Sequence, residues 1–192
     1  EEGRICGEVC AKVMNGNAKI IELQGTTGSS PAIDRGKGFA QAISSHPGMK
    51  IVASQSGDFA RDKGRQVFET LYQSHPEADL VYSHNDEMTM GAIAALQAAG
   101  KVPGKDVMLA TIDGTVDAAK AVMSGKAIVC VECSPKFGPK AFELIKRLAN
   151  GEKIPTIVGN IDRVFTKDNP KWVRDKYGDL AWKAEDYLPE AF

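Results

Sequence analysis

Five short apolar segments, each followed at once by polar residues and then by a helical pattern, constrain the fold of this chain most strongly. The clearest is the segment 78–82, which leads through Ser83-His84-Asn85 into a helical pattern over residues 86–99. Strands that alternate with helices in this way predict βαβ units and a parallel sheet with right-handed crossovers. In open sheets of this kind, ligands bind outside the carboxyl ends of the strands. We therefore expect a functional site in the turns that follow the strands.

Strands and helices are predicted to alternate along most of the chain. The predicted strands cover residues 19–23, 50–53, 78–82, 107–112 and 127–131. The predicted helices cover residues 2–14, 31–45, 86–99 and 139–150, with one further helix capped by Asp58 and a short one capped by Thr115 or Asp117. The predicted fold class is therefore α/β, with a five-stranded doubly wound parallel sheet. After residue 135 the regular alternation of strands and helices ends, and an extended segment at 156–165 and a weakly periodic tail follow.

Charge and hydropathy exclude two classes of partner. The formal net charge is −1 and the pI is about 6.4, which gives no electrostatic sign of binding to nucleic acid or to an anionic membrane. The apolar runs fall well short of the ~20 residues that a membrane-spanning helix needs. The chain opens at Glu1 inside a helical pattern, without an initiator Met or a signal peptide, so we expect it to begin in mid-protein.

The four cysteines occur in two close pairs, and their context favours a structural role. Cys6 and Cys10 have the spacing that places two side chains on one face of a helix. Cys130 and Cys133 have the spacing of a zinc or redox motif, but a redox pair belongs at a helix N-terminus and this pair lies at the end of a strand. We expect buried structural thiols first, a disulfide second and a metal site last, and no cofactor.

Polar side chains that suit a sugar follow several of the predicted strands. Arg35 offers a planar fork of donors, Asn85 an amide that donates and accepts, and Asp113 a pair of acceptors. Adjacent hydroxyl groups of a sugar pair with such planar groups in a bidentate manner, and Phe59 can stack on the C–H face of the ring. On the pattern alone, however, Arg35 is equally well explained as a solvated helix residue, and Phe59 is more often a core residue.

Enzymatic chemistry has less support in the same turns. The loop after the first strand lacks the glycine spacing of a phosphate-binding loop, and Ser83-His84 is not part of a nucleophile elbow. A glycosidase needs two carboxylates about 5–9 Å apart, which Asp86, Asp113 and Glu132 allow by position, but nothing singles out an acid. Asp86, like Asp58, is more simply explained as a helix cap.

Several of these segments resemble one known family, the periplasmic sugar-binding proteins of ABC transporters. The chain is similar to the ribose-binding type, and most of all to its galactofuranose-binding branch. The similarity runs over residues 1 to about 150, with segments in the order and spacing of the family. These segments are EEGR, ELQGTTGSSPAIDRGKGFAQAI, SQSGDFARDKG, VYSHNDEMTMGAIAAL, IDGTVDAAKAVMSGK and VECSP. Members of the family have two similar α/β lobes that close on the sugar, so the resemblance implies binding without catalysis.

The resemblance also implies roles for individual residues. Arg35 and Asn85 would hold ring hydroxyls, Asp113 would accept hydrogen bonds from them, and Phe59 would stack on the sugar. Glu132 stands where the family often places a polar side chain, and the lack of an amide there argues against plain ribose. The expected ligand is a monosaccharide, such as galactofuranose or a related pentose or hexose.

Relative to this family, the chain is expected to supply only the C-terminal lobe. Residues 1–133 would form this sugar-binding lobe, and residues 134–192 would return to the missing N-terminal lobe and end in a tail. Without that lobe, the returning segments would swap into a second copy of the chain or lie exposed. The expected partner is the ABC transporter permease, and the expected location is the periplasm.

Two other interpretations stay open on the sequence. The effector-binding core of a LacI-type transcriptional regulator has the same fold, although the chain carries no basic helix-turn-helix ahead of it. A glycosidase-like enzyme of the doubly wound class is the other, and turnover of a chromogenic glycoside that is lost on Asp113→Ala would support it.

Overall fold

The computed structural model describes residues 1–188, which form one sheet with helices on both faces. The helices are α1 (Glu2–Val13), α2 (Ser30–Ile43), α3 (Arg61–Ser74), α4 (Asp86–Ala98), α5 (Val116–Met123), α6 (Gly138–Ala149), α7 (Lys171–Tyr177) and α8 (Ala184–Tyr187). The strands are β1 (Asn17–Gln24), β2 (Gly48–Ser56), β3 (Leu80–Ser83), β4 (Met108–Asp113), β5 (Val129–Glu132), β6 (Val164–Thr166) and β7 (Ala181–Lys183). A short 3₁₀ helix covers Gly178–Leu180.

The strands lie in the order β2-β1-β3-β4-β5-β6-β7. The first five pair in parallel, β6 runs antiparallel to β5, and β7 runs parallel to β6. The predicted doubly wound parallel sheet is thus confirmed, and β6 and β7 extend it at one edge. After β1 the chain moves outward to β2 and then returns to the other side of β1 to form β3. A reversal of this kind opens a crevice at the carboxyl ends of the central strands.

Each face of the sheet is covered by its own apolar layer. On one face α1 and α2 pack against the sheet, and the ring of Phe39 stacks on that of Tyr82 with centroids 3.8 Å apart. On the other face α3, α4 and α5 bury residues such as Phe68, Met88 and Leu96. The central strands are buried on both sides, which explains why they read as continuous apolar runs rather than as alternating patterns.

Two of the predicted helix caps are wrong. The N-cap of α3 is Ala60, and Asp58 lies two residues earlier in an exposed turn with a φ of +59°. The N-cap of α4 is Asn85, so that Asp86 is the first residue of the helix and its side chain is free for another partner. Of the two candidates for α5, the side chain of Thr115 is the cap.

The segment between β5 and β6 differs from the rest of the chain because it buries almost nothing. No residue of α6 is buried, and Phe142 and Ile157 keep 68% and 86% of their surface exposed. Within the predicted extended segment 156–165, only Val164 and Phe165 belong to a strand. From β6 onward the chain rejoins the sheet. The predicted division of the chain at residue 133 stays a prediction.

The cysteines lie mainly in the interior. Cys6, Cys10 and Cys130 are buried as predicted, Cys133 is half-buried, and all four are free thiols. Among residues 1–188, no group of three or more histidine, cysteine or acidic side chains is arranged to hold a metal ion. None of the helices in the same part of the chain is long and apolar enough to cross a membrane.

Candidate functional site

Four of the five predicted site residues come together at the carboxyl edge of the sheet. Nη2 of Arg35 lies 2.9 Å from Oδ1 of Asp113, and its Cζ lies 5.9 Å from the centroid of the Phe59 ring. Nδ2 of Asn85 donates to the carbonyl oxygen of Phe59 at 3.1 Å. These residues come from α2, from the loop after β2, from the turn after β3 and from the end of β4, so the switch point of the sheet is what assembles them.

Arg35 is a buried residue and not a solvated helix charge. Its side chain is 7% exposed, and its Nε donates to Oε2 of Glu2 at 2.7 Å while its Nη1 donates to the carbonyl oxygen of His84. Burial lowers the pKa of the guanidinium, but Asp113 and Glu2 more than offset this, so the pKa is raised and the group stays cationic. Glu2 was missed on the sequence because α1 reaches Arg35 only through the packing of α1 on α2.

Asp113 has an unusual backbone conformation and a raised pKa. Its φ is +132°, a value that a residue with a side chain adopts only when its surroundings hold it there. Burial raises the pKa of its carboxyl group to about 6, the positive charge of Arg35 works in the other direction, and Asp86 adds to the rise. The carboxylate is therefore ionised at neutral pH and takes up a proton just below it.

The turn that carries Asp113 is held by the buried carboxylate of Asp86. Its Oδ2 accepts from the backbone N–H groups of Gly114 and Thr115 at 2.9 and 2.7 Å, and its Oδ1 accepts from Oγ1 of Thr111 at 2.7 Å. Burial raises the pKa of Asp86 in spite of these hydrogen bonds. Asp86 thus binds the turn that follows the adjacent strand β4, which the helix-cap interpretation did not anticipate.

Phe59 packs both against the core and against the backbone of Gly25. It is half-buried and packs against the core, yet its ring also lies flat on the backbone of Gly25, where an added Cβ would come within 1.9 Å of Cζ of the ring. Asp58 and Phe59 both have a φ of +59°, so this loop is strained and depends on partners such as Asn85 to keep its shape. Glycine at position 25 is what allows the ring to approach so closely.

Glu132 lies beside Asp113 on the neighbouring strand, but its carboxylate pairs with Arg163. Glu132 on β5 pairs in register with Asp113 on β4. The Glu132 carboxylate accepts from Nε and Nη2 of Arg163 at 2.9 and 3.0 Å. Burial raises the pKa of Glu132, but the hydrogen bonds from Arg163 outweigh it and the pKa is lowered. Arg163 itself lies over the rings of Trp182 and Tyr187. The Glu132 carboxylate is thus engaged in joining β5 to the returning chain.

A second buried pair, which sequence reasoning also missed, lies directly beneath these residues. Nε2 of His84 is 3.1 Å from Oε1 of Glu22, and both side chains are almost fully buried. The one available signal was a glutamate between apolar residues in the buried half of β1.

Most of the chain also matches known proteins. Residues 1–153 match the family model described as periplasmic binding protein domain. The chain belongs to this family. Among its periplasmic binding protein relatives, the galactofuranose-binding protein YtfQ of Escherichia coli (strain K12) is 43% identical over 158 residues, which cover 80% of this chain and 50% of that protein. The ribose import binding protein RbsB of Salmonella typhimurium is 43% identical over 153 residues, which cover 79% of this chain and 50% of that protein.

A solved structure with a bound sugar shows the same fold. The structure from Mycobacterium smegmatis in complex with β-D-fucofuranose superposes with a TM-score of 0.85 at 41% identity, covering 98% of this chain and 59% of that chain. The chain spans about half the length of the curated periplasmic binding protein relatives it matches. The predicted family is confirmed. Its relatives are receptors that bind sugars for import, and not enzymes, which rules against both the glycosidase and the LacI-type interpretation.

Proposed function

We propose that this chain is the C-terminal lobe of a periplasmic receptor that delivers a sugar to an ABC transporter. The observation that carries the proposal is the ion pair between buried Arg35 and half-buried Asp113, 2.9 Å apart at the switch point of the sheet in a periplasmic binding protein. An ion pair of this kind presents donors and acceptors side by side in a crevice. A sugar, with adjacent hydroxyl groups that both donate and accept, is the ligand that matches it.

Three residues of the crevice have capacity left for a ligand. The Asp113 carboxylate can accept from a ring hydroxyl with the lone pairs that Arg35 does not use. The Asn85 amide donates one hydrogen to the carbonyl of Phe59 at 3.1 Å and accepts from the N–H of Met88 at 3.0 Å. One hydrogen and one lone pair of the amide are left for a ligand. The exposed part of the Phe59 ring offers an apolar face for the C–H groups of the sugar.

The ligand class is proposed to be a monosaccharide in the furanose form. Support comes from relatives whose names or titles state galactofuranose and β-D-fucofuranose. Glu132 fits a sugar other than plain ribose, because its carboxylate is committed to Arg163 and offers no amide to the crevice. No chemical change of the sugar is proposed, since binding and release are what such a receptor contributes to import.

The other half of the crevice is proposed to come from an N-terminal lobe, which covers the exposed face of residues 134–163. The apolar side chains of this face support the proposal, because surface of this kind rarely stays open to water. A transporter permease is the further partner, and the periplasm is the proposed location. Both are supported by the family and by a relative named as an import binding protein.

A sugar titration of the 192-residue chain tests the proposal. Calorimetry and NMR with ribose, arabinose, galactose and methyl β-D-galactofuranoside should detect weak binding of one class, because half a crevice leaves one face of the sugar in water. Arg35→Ala should abolish it. Arg65→Ala is the matched control, since Arg65 is an exposed arginine paired with Glu69 within its own helix. Silence with every sugar at millimolar concentration, or equal binding by Arg35→Ala, would overturn the proposal.

A further inference from the structure

The buried pair of His84 and Glu22 lies at the ends of β3 and β1, beneath the crevice and outside the set of residues proposed to touch the sugar. Nε2 of His84 faces Oε1 of Glu22 at 3.1 Å, and its Nδ1 is 3.3 Å from the backbone nitrogen of Gly25. The second carboxylate oxygen of Glu22 accepts from Oγ of Ser54 and from Nε2 of Gln24. Both ring nitrogens of His84 and both carboxylate oxygens of Glu22 therefore have a partner.

The partners of His84 determine where its proton sits. A backbone N–H can only donate, so the Nδ1 atom that faces Gly25 must be an acceptor without a proton. The single proton of the neutral ring is then on Nε2, from which it is donated to the Glu22 carboxylate. Burial raises the pKa of Glu22, but hydrogen bonds from His84, Ser54 and Gln24 outweigh this and lower it, so the carboxylate stays an acceptor.

This tautomer connects to two of the residues at the crevice. Through Nδ1, His84 holds the backbone of Gly25, on which the ring of Phe59 lies flat. Through its carbonyl oxygen, His84 accepts from Nη1 of Arg35. His84 thus contacts both Gly25, against which the Phe59 ring packs, and the guanidinium of Arg35.

We propose that Glu22 is a positioning residue, which fixes His84 as the Nε2–H tautomer. His84 in this form holds Gly25 in place, and Gly25 in turn positions the Phe59 ring beside Arg35. The contribution to ligand affinity rests on the proposed sugar-binding function. The tautomer and the position of Gly25 do not, since both exist in the free chain.

Glu22→Gln is the variant that separates this role from a merely structural one. The two donors from Ser54 and Gln24 direct the amide oxygen toward themselves, so the NH₂ group faces Nε2 of His84. His84 must then accept at Nε2 and carry its proton on Nδ1, where it opposes the N–H of Gly25. The shape of the cluster is nearly unchanged, and only the direction of its hydrogen bonds is reversed.

The first measurement is the tautomer in the free chain. Two-bond ¹H–¹⁵N correlation spectra distinguish protonated from unprotonated ring nitrogens, and His84 is assigned by the loss of its signals in His84→Asn. We expect Nε2–H in the wild type and Nδ1–H in Glu22→Gln, with a shift of the Gly25 amide signal as it moves relative to the Phe59 ring. Ser54→Ala is the matched control and should retain the wild-type tautomer, because Glu22 stays a carboxylate.

The second measurement is affinity for methyl β-D-galactofuranoside by NMR titration, arranged as a cycle of variants. Glu22→Gln should weaken binding roughly tenfold in the wild-type background, the loss expected for one misdirected hydrogen bond. In the His84→Asn background it should have no effect, because the Asn Oδ1 takes the place of Nδ1 and accepts from Gly25 whatever stands at position 22. Far-UV circular dichroism and thermal melting confirm that each variant folds.

The outcomes separate this inference from the proposed function. An Nδ1–H or doubly protonated His84 in the wild type, or an unchanged tautomer and Gly25 signal in Glu22→Gln, overturns the inference whether or not a sugar binds. Equal loss of affinity on Glu22→Gln in both backgrounds overturns it as well. If no sugar binds the wild type while the tautomer and the Gly25 shift follow expectation, the proposed function fails and the positioning of Gly25 by Glu22 stands.

Discussion

Arg35 and Asp113 form an ion pair in which the carboxyl group is nonetheless easier to protonate than in water. Nη2 and Oδ1 are 2.9 Å apart, yet burial and the nearby Asp86 raise the pKa of Asp113 to about 6. The reason is that burial of the carboxylate, together with the negative charges of Asp86 and Glu2, outweighs the attraction of Arg35. The two charged groups are therefore in close contact, yet the carboxyl group of Asp113 titrates close to neutral pH.

The affinity for sugar should fall as the pH drops through about 6, because the protonated form of Asp113 loses an acceptor that a ring hydroxyl needs. One unit below this pKa only about a tenth of the groups are ionised, so between about pH 7.5 and pH 5 the affinity should drop roughly tenfold. Titrations at several pH values check this. Asp113→Asn should bind weakly and lose the pH dependence, and a wild-type affinity that stays constant down to pH 5 would contradict the prediction.

Asp113→Asn should also make the folded chain more stable at neutral pH. The pKa of Asp113 is about 6 in the folded chain and about 3.9 in an unfolded one, so the folded state binds the proton more tightly. Ionisation as the pH rises through this window therefore costs stability. The variant, which carries no charge, should melt a few degrees above the wild type at about pH 7.5 and at the same temperature at about pH 4. A gain in Tm that grows toward low pH would show that the sign is wrong.

Asn85 is expected to serve both the fold and the ligand, and two substitutions separate these roles. Its Oδ1 caps α4 by accepting from Met88, so Asn85→Ala should lose about 1 kcal/mol of unfolding free energy together with sugar binding. Serine is an equally good cap but has no amide, so Asn85→Ser should keep most of the stability and still lose the sugar. Denaturant unfolding and titration of both variants provide the comparison. Wild-type affinity in Asn85→Ser would exclude Asn85 from the site.

The sequence was sufficient for the fold and for the residues that follow strands directly. The central strands are buried on both faces, so their apolar runs stand out, and Asn85 and Asp113 can be identified because they stand at the ends of those strands. The alternation of elements then determines that these turns meet at one edge.

Residues that act from a different element could not be found in the same way. Glu2 pairs with Arg35 from α1. The Asp86 side chain does not cap its own helix and instead binds the turn after β4. The ion pair between Glu132 and Arg163 forms because β6 runs antiparallel to β5. The irregular sequence before β6 gives no sign of this pairing. Local patterns report the neighbours of a residue along the chain, and each of these contacts is made across the fold.

The exposed face of residues 134–163 should make the isolated chain associate with itself. Along α6, Phe142, Ile145 and Leu148 are each more than half exposed and follow one another at helical spacing. Because they are so exposed, Phe142→Lys together with Ile145→Lys should change the unfolding free energy by no more than about 0.5 kcal/mol.

The same double variant should, however, convert associated material to monomer in sedimentation experiments and remove the binding of an apolar dye such as ANS. Val102→Lys is the matched control, since Val102 is also about half exposed but lies in a loop outside this face. It should leave association unchanged. A wild-type chain that stays monomeric at high concentration and binds no dye would mean that these side chains find cover within their own copy of the chain, and the proposed contact with a second lobe would lose its main support.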